Sequence, residues 1–469
     1  MELTHEKRIQ IWETLIPELE NFYDNTNDLD VSPELDKDKI AGFVRKFHSG
    51  GIISPEVAIS HVIEGLKNFS VHTPHPGYFG LFNPRPVFAG ILADTITASF
   101  NPQMAAWSHS PFAAETEKYL IREFGKKFGY AESETDGNFT TGGQEANLTA
   151  VLCALNFHYP DYHTQGIQSL SNKPVIYCSQ DVHHSIVRAA TITGLGINAI
   201  RSIETDQKHR MSSEKLELQI KIDIQNGFHP FLIVASMGTT GTGAIDPIEE
   251  LYRISKAHNC WLHADAAYGG AVVLNDSWKH LIEGISQADS ITFDAHKWLS
   301  VPMSAGIFIT RHPTILDQTF RIKADYMPKD AGSMDIQDPF SHSIQWSRRF
   351  IGLKVYLSLL IYGWKGWSEL VDDQIQKGQF LKQKLLESNW IIYNDTPLPV
   401  ICFGKESFKK DENLAGIISQ KVILTRKAWV SVYKVKEHYT LRACVTNYKT
   451  SEKDINELVD ILNKAGENI

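Results

Sequence analysis

Apolar residues follow two alternating periods in the middle of the chain. Between about residues 138 and 310, short runs of β-branched and other apolar residues predict strands, and stretches of helical period lie between them. The strands are predicted at Pro174–Ser179, Asn198–Ile203, Phe231–Ala235, Trp261–Asp265, Ser290–Phe293 and Gly306–Thr310. Such alternation is typical of βαβ units and predicts an α/β domain with a mostly parallel sheet.

Capping residues mark where the intervening helices begin. We predict helices over Ala146–Leu155, His184–Thr193 and Ser213–Gln225, the last with a serine cap. Asp246 precedes Pro247 and two acidic residues, so we expect it to cap a further helix.

The flanking regions have other patterns. Residues 1–23 carry one apolar helical stripe, and residues 72–86 place prolines among aromatic rings, which predicts an ordered loop. After about residue 350, helices are predicted over 351–363, 367–387 and 451–465, and strands over Trp390–Tyr393, Val400–Phe403 and Tyr439–Val445. We therefore expect an N-terminal helical segment (1–86), a large domain (87–350) and a small C-terminal α+β domain (351–469).

Composition narrows the class of protein. The 469 residues carry a net charge of −9, which argues against nucleic acid or an anionic membrane as the main partner. The five cysteines are widely separated, which favours a reducing compartment. The first residues are charged, and no apolar run is long enough to span a membrane. We expect a cytoplasmic protein.

Reactive side chains follow the predicted strands. Asp265 ends one strand, His296 and Lys297 follow another, Thr240 follows a third, and His183 follows a fourth. Ligands of open parallel sheets bind beyond the carboxyl ends of the strands, so one pocket can collect these groups. A lysine that loses its proton can form a Schiff base with an aldehyde cofactor, and an aspartate can keep a pyridine nitrogen protonated.

A glycine pair precedes the predicted helix at 146–155. Gly142 and Gly143 allow backbone amides to approach a phosphate at the helix start. The histidines do not predict a metal site, because adjacent residues such as His183 and His184 point apart.

Seven short motifs occur in a fixed order over residues 75–350. They are HPGYF (75–79), FTTGGQEANL (139–148), DVHHS (181–185), GTTGTGAIDP (238–247), HADAAYGG (263–270), DAHKW (294–298) and SRRF (347–350). In these motifs the chain resembles the pyridoxal-phosphate group II amino-acid decarboxylases, which include aromatic amino-acid, glutamate and diaminobutyrate decarboxylases. The resemblance implies fold type I, as in aspartate aminotransferase, and the cofactor pyridoxal 5′-phosphate.

The resemblance also implies a role for each matching residue. Lys297 would carry the cofactor as a Schiff base, Asp265 would pair with its pyridine nitrogen, and His183 would stack on its ring. The residues that would hold the phosphate are Gly143, Gln144 and His296. Thr240 would contact the ring oxygen or the substrate.

The resemblance implies a further catalytic residue and an assembly. Tyr326 would be the acid that protonates the substrate carbon after CO₂ leaves. It lies in a loop that, in related enzymes, reaches the partner subunit, so a homodimer is expected.

The substrate is left open by the motifs. Aromatic rings near the expected pocket favour a bulky hydrophobic or aromatic L-amino acid, and His75, Phe82 and Trp107 are the candidate substrate contacts. Ala105 stands where aromatic decarboxylases tend to carry a bulky ring, and Asp294 stands where they often have asparagine. Diamino and acidic amino acids therefore stay open as substrates.

Other activities share this fold. The alternatives are transamination, decarboxylation coupled to oxidative deamination, which yields an aldehyde, and a non-catalytic binding protein. The retained Lys297, Asp265, His183 and Tyr326 favour simple decarboxylation to an amine.

Overall fold

The computed structural model describes residues 2–47, 51–170, 172–322, 336–409 and 411–467. Its strands are β1 Asp136–Thr140, β2 Lys173–Ser179, β3 Ile200–Ile203, β4 Phe228–Ser236, β5 Trp261–Asp265, β6 Ser290–Asp294, β7 Gly306–Thr310, β8 Ile391–Ile392, β9 Val400–Gly404, β10 Ser431–Val435 and β11 His438–Cys444. Its α-helices are α1 His5–Asn25, α2 Lys37–Val44, α3 Pro55–Phe69, α4 Phe88–Phe100, α5 Pro111–Phe128, α6 Gly143–His158, α7 Tyr162–Gln165, α8 His184–Ile192, α9 Ser213–Gln225, α10 Ile248–Ala257, α11 Ala295–Trp298, α12 Ile315–Phe320, α13 Gly352–Glu387, α14 Leu414–Leu424 and α15 Glu452–Gly466.

The first seven strands form one sheet in the order β1-β7-β6-β5-β4-β2-β3. The pairings β2–β3, β2–β4, β4–β5 and β5–β6 are parallel, and β7 runs antiparallel to both β1 and β6. The predicted mostly parallel sheet is therefore confirmed. Because β1 and the parallel strands share one direction, Thr140, Asp265 and Asp294 all lie at the same edge of this sheet.

The chain divides into two structural units. The first comprises Met1–Arg85, Phe380–Tyr393 and Cys402–Ile469, and the second comprises Pro86–Gln379 and Asn394–Ile401. The smaller, four-stranded sheet has the order β10-β11-β9-β8. The three-part division expected from the sequence stays a prediction.

The core of the large sheet is apolar on both faces. Residues of β2, β4, β5 and β6 such as Ile176, Leu232 and Ile291 are fully buried, as expected for strands covered by helices on each side. Helix α6 packs on this core through Ala146, Ala150 and neighbouring small residues. In the described ranges, every helix is too short or too polar to cross a membrane.

Two local predictions were wrong. Asp246 does not cap α10, which begins at Ile248 without a side-chain cap. Its carboxylate instead accepts hydrogen bonds from the backbone N–H groups of Met211 (2.7 Å) and Ser236 (2.8 Å). These two buried donors take the carboxylate in place of the N–H groups at the start of α10. The strand predicted from Asn198 begins only at Ile200, because Ile197–Ala199 forms a 3₁₀ turn.

Candidate active site

One cavity lies at the carboxyl edge of the large sheet. Its volume is about 190 Å³. The residues that line it are Gly143, Gln144, Asn147, His183, Ser236, Gly238, Thr239, Thr240, Asp265, Ala267, Tyr268, Asp294 and Lys297. The structure thus brings together Gly143, Gln144, His183, Thr240, Asp265 and Lys297 of the predicted site residues.

Lys297 lies in α11, the single helical turn that follows β6. Its ammonium is 3.0 Å from Asp294 Oδ2, and the lysine side chain is 20% exposed whereas that of Asp294 is 3% exposed. The spacing of three residues in a helical turn puts both groups on one side. Lys297 therefore projects into the cavity from a helical turn that directly follows a strand of the sheet.

Asp265, the last residue of β5, is held by two donors. Its Oδ2 accepts from Asn147 Nδ2 at 2.8 Å, and its Oδ1 accepts from the Ala267 N–H at 3.2 Å. The residue is 8% exposed. These bonds orient the carboxylate in the cavity.

His183 caps the start of α8. Its Nδ1 accepts from the Ser185 N–H at 3.3 Å and from Ser185 Oγ at 2.8 Å, so its proton lies on Nε2. Burial lowers the pKa of His183 below the usual histidine value. The ring is accordingly neutral at neutral pH.

Asn147 of α6 joins these groups; it lies within the FTTGGQEANL motif but was not among the predicted site residues. Its two amide protons go to Ser185 Oγ (2.7 Å) and to Asp265 Oδ2. Its Oδ1 accepts from Thr292 Oγ1 at 2.8 Å and from His263 Nε2 at 2.9 Å. One buried amide therefore fixes both Asp265 and, through Ser185, His183.

His263 anchors the far side of the same network. Its Nδ1 lies 2.8 Å from Ser290 Oγ, and burial lowers its pKa to about 4. The ring is therefore neutral and donates from Nε2 to Asn147. Both of its nitrogens are occupied by these bonds.

The start of α6 has the features of a phosphate site. A Cβ on Gly143 would lie 2.9 Å from Asp294 Oδ2, so glycine keeps this space open, whereas a Cβ on Gly142 would make only an ordinary contact with His296 Cε1 at 3.5 Å. His296 Nδ1 accepts from the Ala305 N–H at 3.1 Å, which leaves the proton on Nε2. Burial lowers the pKa of His296, so it is a neutral donor. The site therefore fits pyridoxal phosphate. Gly143 and His296 suit its phosphate, Asp265 suits its pyridine nitrogen, and Lys297 suits its aldehyde.

Other predicted residues lie elsewhere. Trp107 lines a separate cavity, where its Nε1 donates to Glu115 Oε1 at 2.8 Å. His75 is buried and uses both ring nitrogens locally, with Asn27 O at 3.2 Å and the Gly77 N–H at 2.8 Å.

Two more predicted residues are not seen at the cavity. Phe82 is buried beneath the Arg442 guanidinium, which is 5.1 Å from the ring centroid. Tyr326 lies outside the described residues. The roles of His75, Phe82, Trp107 and Tyr326 stay predictions.

Comparison with known sequences gives one family. Residues 56–405 match the pyridoxal-dependent decarboxylase conserved domain. The chain is 28% identical over 437 residues to an aromatic-L-amino-acid decarboxylase of Bacillus atrophaeus, covering 92% of this chain and 89% of that protein. It is 30% identical over 320 residues to human cysteine sulfinic acid decarboxylase, covering 68% and 64%. It is 25% identical over 424 residues to a 4-hydroxyphenylacetaldehyde synthase of Rhodiola rosea, covering 89% and 86%.

Solved structures share the fold. Mouse CSAD in its apo form has a TM-score of 0.90 at 22% identity, over 98% of this chain and 100% of that one. Oryza sativa TDC with PLP and tryptamine has a TM-score of 0.93 at 19% identity, over 99% and 98%. The predicted fold class is thereby confirmed.

Proposed function

Since the chain belongs to the pyridoxal-dependent decarboxylase family and is a pyridoxal-phosphate-dependent amino-acid decarboxylase, we propose that it converts a bulky hydrophobic or aromatic L-amino acid to the amine and CO₂. The cofactor and the class of enzyme, a carboxy-lyase, are those predicted from the sequence and are confirmed by the family. The specific substrate and the role of each residue are our proposal.

Three side chains of the cavity carry the proposed chemistry. When bound, pyridoxal phosphate acts as a sink for the electrons of the bond that breaks. Lys297 would hold the cofactor through its aldehyde carbon, and Asp265 would keep the pyridine nitrogen protonated. The neutral ring of His183 would support the face of the cofactor. The observation that carries this assignment is the single amide of Asn147, which orients both Asp265 and Ser185, the partner of His183.

Charge supports the choice of substrate. Among the described residues that line the cavity, only Lys297 and His183 can carry positive charge, and Lys297 is committed to the cofactor. An acidic side chain needs a cationic partner when it is desolvated, whereas an aromatic side chain does not. The aromatic-L-amino-acid decarboxylase of Bacillus atrophaeus is consistent with this choice.

A second candidate activity has one observation in its favour. The Rhodiola rosea relative is a 4-hydroxyphenylacetaldehyde synthase, so the same fold and cofactor also serve a protein named for an aldehyde product. Decarboxylation to an amine ranks first because His183 is retained in the cavity and Tyr326 is retained in the sequence.

A homodimer is part of the proposal. Helix α4 leaves four apolar side chains exposed at intervals of four residues: Phe88 (39%), Leu92 (39%), Ile96 (43%) and Phe100 (82%). A contiguous apolar stripe of this kind favours burial against another surface. We assign a second copy of the chain to it.

The proposed function is tested with a panel of amino acids. The cofactor-loaded protein is incubated with aromatic, branched aliphatic, acidic, diamino and sulfinate L-amino acids, and the products are identified by mass spectrometry. An amine from an aromatic or bulky aliphatic substrate supports the proposal. An amine from an acidic or diamino substrate alone refutes the substrate class. An aldehyde refutes simple decarboxylation, and a keto acid refutes decarboxylation altogether.

A further inference from the structure

Lys354, near the start of α13, is a buried cation with no part in the chemistry proposed above. Its side chain is 3% exposed. Its Nζ donates to Ser304 O at 2.9 Å and to Pro302 O at 3.2 Å. Both carbonyls belong to the segment 299–305, which runs from the helical turn of Lys297 to β7. Lys354 therefore holds the backbone that connects the proposed cofactor lysine to the next strand.

The carboxylate near Lys354 is shared with a second cation. Asp94 Oδ2 lies 3.7 Å from Lys354 Nζ, and Asp94 Oδ1 lies 3.4 Å from Arg349 Nη2. Burial lowers the pKa of Lys354, whereas Asp94 raises it. A buried ammonium that shares its counter-charge depends on good hydrogen-bond acceptors. The carbonyl oxygens of Pro302 and Ser304 are those acceptors.

One peptide group lies between Lys354 and His296. Its carbonyl oxygen, Ser304 O, accepts from Lys354 Nζ, and its N–H, that of Ala305, donates to His296 Nδ1 at 3.1 Å. The two ends of a peptide group are conjugated, so a cationic donor at the oxygen makes the N–H a stronger donor. Lys354 therefore strengthens the hydrogen bond that occupies Nδ1 of His296.

His296 lies at the turn that precedes α6. A Cβ on Gly142, in that turn, would be 3.5 Å from His296 Cε1. Burial is the main cause of the lowered pKa of His296. The positive charges of Lys297 and Lys354 lower it further, against the opposing charge of Asp294. The ring is therefore neutral, and with Nδ1 occupied its proton lies on Nε2.

We propose that Lys354 is a positioning residue that keeps the proton of His296 on Nε2, where it donates to the phosphate of the cofactor. Lys354 acts through the peptide group of Ser304 and Ala305, and it is not among the described residues that line the cavity. The proposal rests on the proposed function, in which His296 holds the phosphate.

The phosphate itself provides the first test. The affinities of the wild type and of Lys354→Met are measured by equilibrium titration for pyridoxal 5′-phosphate and for pyridoxal, which lacks the phosphate. Methionine has a similar length but no donor and no charge. The variant should bind pyridoxal 5′-phosphate about tenfold more weakly, the effect of one hydrogen bond to a charged group, and pyridoxal less than about twofold more weakly. Lys354→Arg keeps a cationic donor and should lose less affinity than Lys354→Met.

The tautomer of His296 provides the second test. Full-length protein with isotope-labelled histidine is measured by nitrogen NMR without cofactor, and the His296 signals are assigned by their loss in His296→Gln. In the wild type, Nδ1 should be unprotonated and Nε2 protonated. In Lys354→Met, a fraction protonated on Nδ1 should appear, and the ring should titrate at a higher pH because a nearby cation is gone. A role of Lys354 in packing alone would change neither the tautomer nor the titration.

Lys377→Met is the matched control. Lys377 lies on the same helix, is 18% exposed and pairs with Asp373 at 2.6 Å, away from the described residues that line the cavity. It should bind both compounds as the wild type does. Lys354→Gln, a neutral donor, replaces Lys354→Met if the latter does not fold, as judged by circular dichroism, and the same changes are expected in smaller size.

The outcomes separate the two levels of the proposal. An equal loss of affinity for both compounds, no loss for either, or an unchanged tautomer of His296 would overturn the role of Lys354. Unchanged affinity of His296→Gln for pyridoxal 5′-phosphate would overturn the underlying assignment of His296 instead.

Discussion

Single side chains in this protein act through hydrogen bonds that they share. Asn147 donates two hydrogen bonds from its amide nitrogen, to Asp265 and Ser185, and accepts two at its amide oxygen. Sequence reasoning identified Asp265 and His183 from their motifs. Asn147 lies in the FTTGGQEANL motif but was not singled out, because a polar residue within a helix does not show which partners the fold brings to it.

The network predicts a dependence of stability on pH. His263 has a pKa of about 4 in the folded protein, and histidine in an unfolded chain has a value of about 6.5. As the pH falls from about 6.5 to about 4, the unfolded state binds a proton that the folded state does not. His263 therefore lowers the free energy of unfolding by about 3 kcal/mol over this range.

The variant His263→Gln isolates this contribution. Glutamine does not titrate and can donate to Asn147, so the variant should lack this loss of stability. The measurement is denaturant unfolding of both proteins across the pH range. Other buried groups, such as Asp246, whose pKa burial raises to about 7, act in both proteins and cancel in the difference. Parallel pH curves would contradict the prediction.

Strands and helices were predicted well where sequence period and boundary signals agree. The predictions at Trp261–Asp265 and Gly306–Thr310 match β5 and β7, and Ser213–Gln225 matches α9. The two helices predicted over 351–363 and 367–387 form one element, Gly352–Glu387, which is kinked at Gly363 (φ 64°, ψ 175°). Because glycine readily adopts a positive φ, the helix can break at this residue and resume directly, with no loop between the two parts.

Strand β10 was missed. It alternates between partly buried and exposed side chains, and only its last residue, Val435, is fully buried. Its pairing with β11 is a tertiary contact. Neighbours of this kind, rather than its own sequence, decide its conformation.

The close contact between Gly306 of β7 and Gly142, in the turn before α6, predicts that a larger side chain at position 306 is not tolerated. A Cβ on Gly306 would lie 2.6 Å from Gly142 Cα, and backbone cannot rotate away as a side chain can. Gly306→Ala should therefore displace the turn before α6, weaken cofactor binding and destabilise the protein by about 1–3 kcal/mol. Cofactor titration and denaturant unfolding measure the two effects.

A second glycine provides the matched control. A Cβ on Gly416, within α14, would meet no atom within 4 Å. Gly416→Ala should leave cofactor affinity unchanged and stability equal or higher. If both variants bind the cofactor as the wild type does, the turn does not depend on Gly306.

For the whole molecule, the main expectation is the homodimer. Replacing Leu92 and Ile96 together by lysine places two charges in the α4 stripe, so burial against a second copy becomes unfavourable. We expect the wild type to sediment as a dimer and the double variant as a monomer. Leu218→Lys, at a 59% exposed position of α9, should remain dimeric. A monomeric wild type, or a dimeric double variant, would contradict the expectation.

The assignment of Lys297 as the lysine that holds the cofactor is tested most directly by mapping the attachment. The cofactor-loaded protein is reduced with borohydride, digested and analysed by peptide mass spectrometry. We expect one pyridoxyl group, on the peptide that contains Lys297, because this lysine shares the cavity with Asp265 and His183. A pyridoxyl group on another lysine, with Lys297 unmodified, would contradict it.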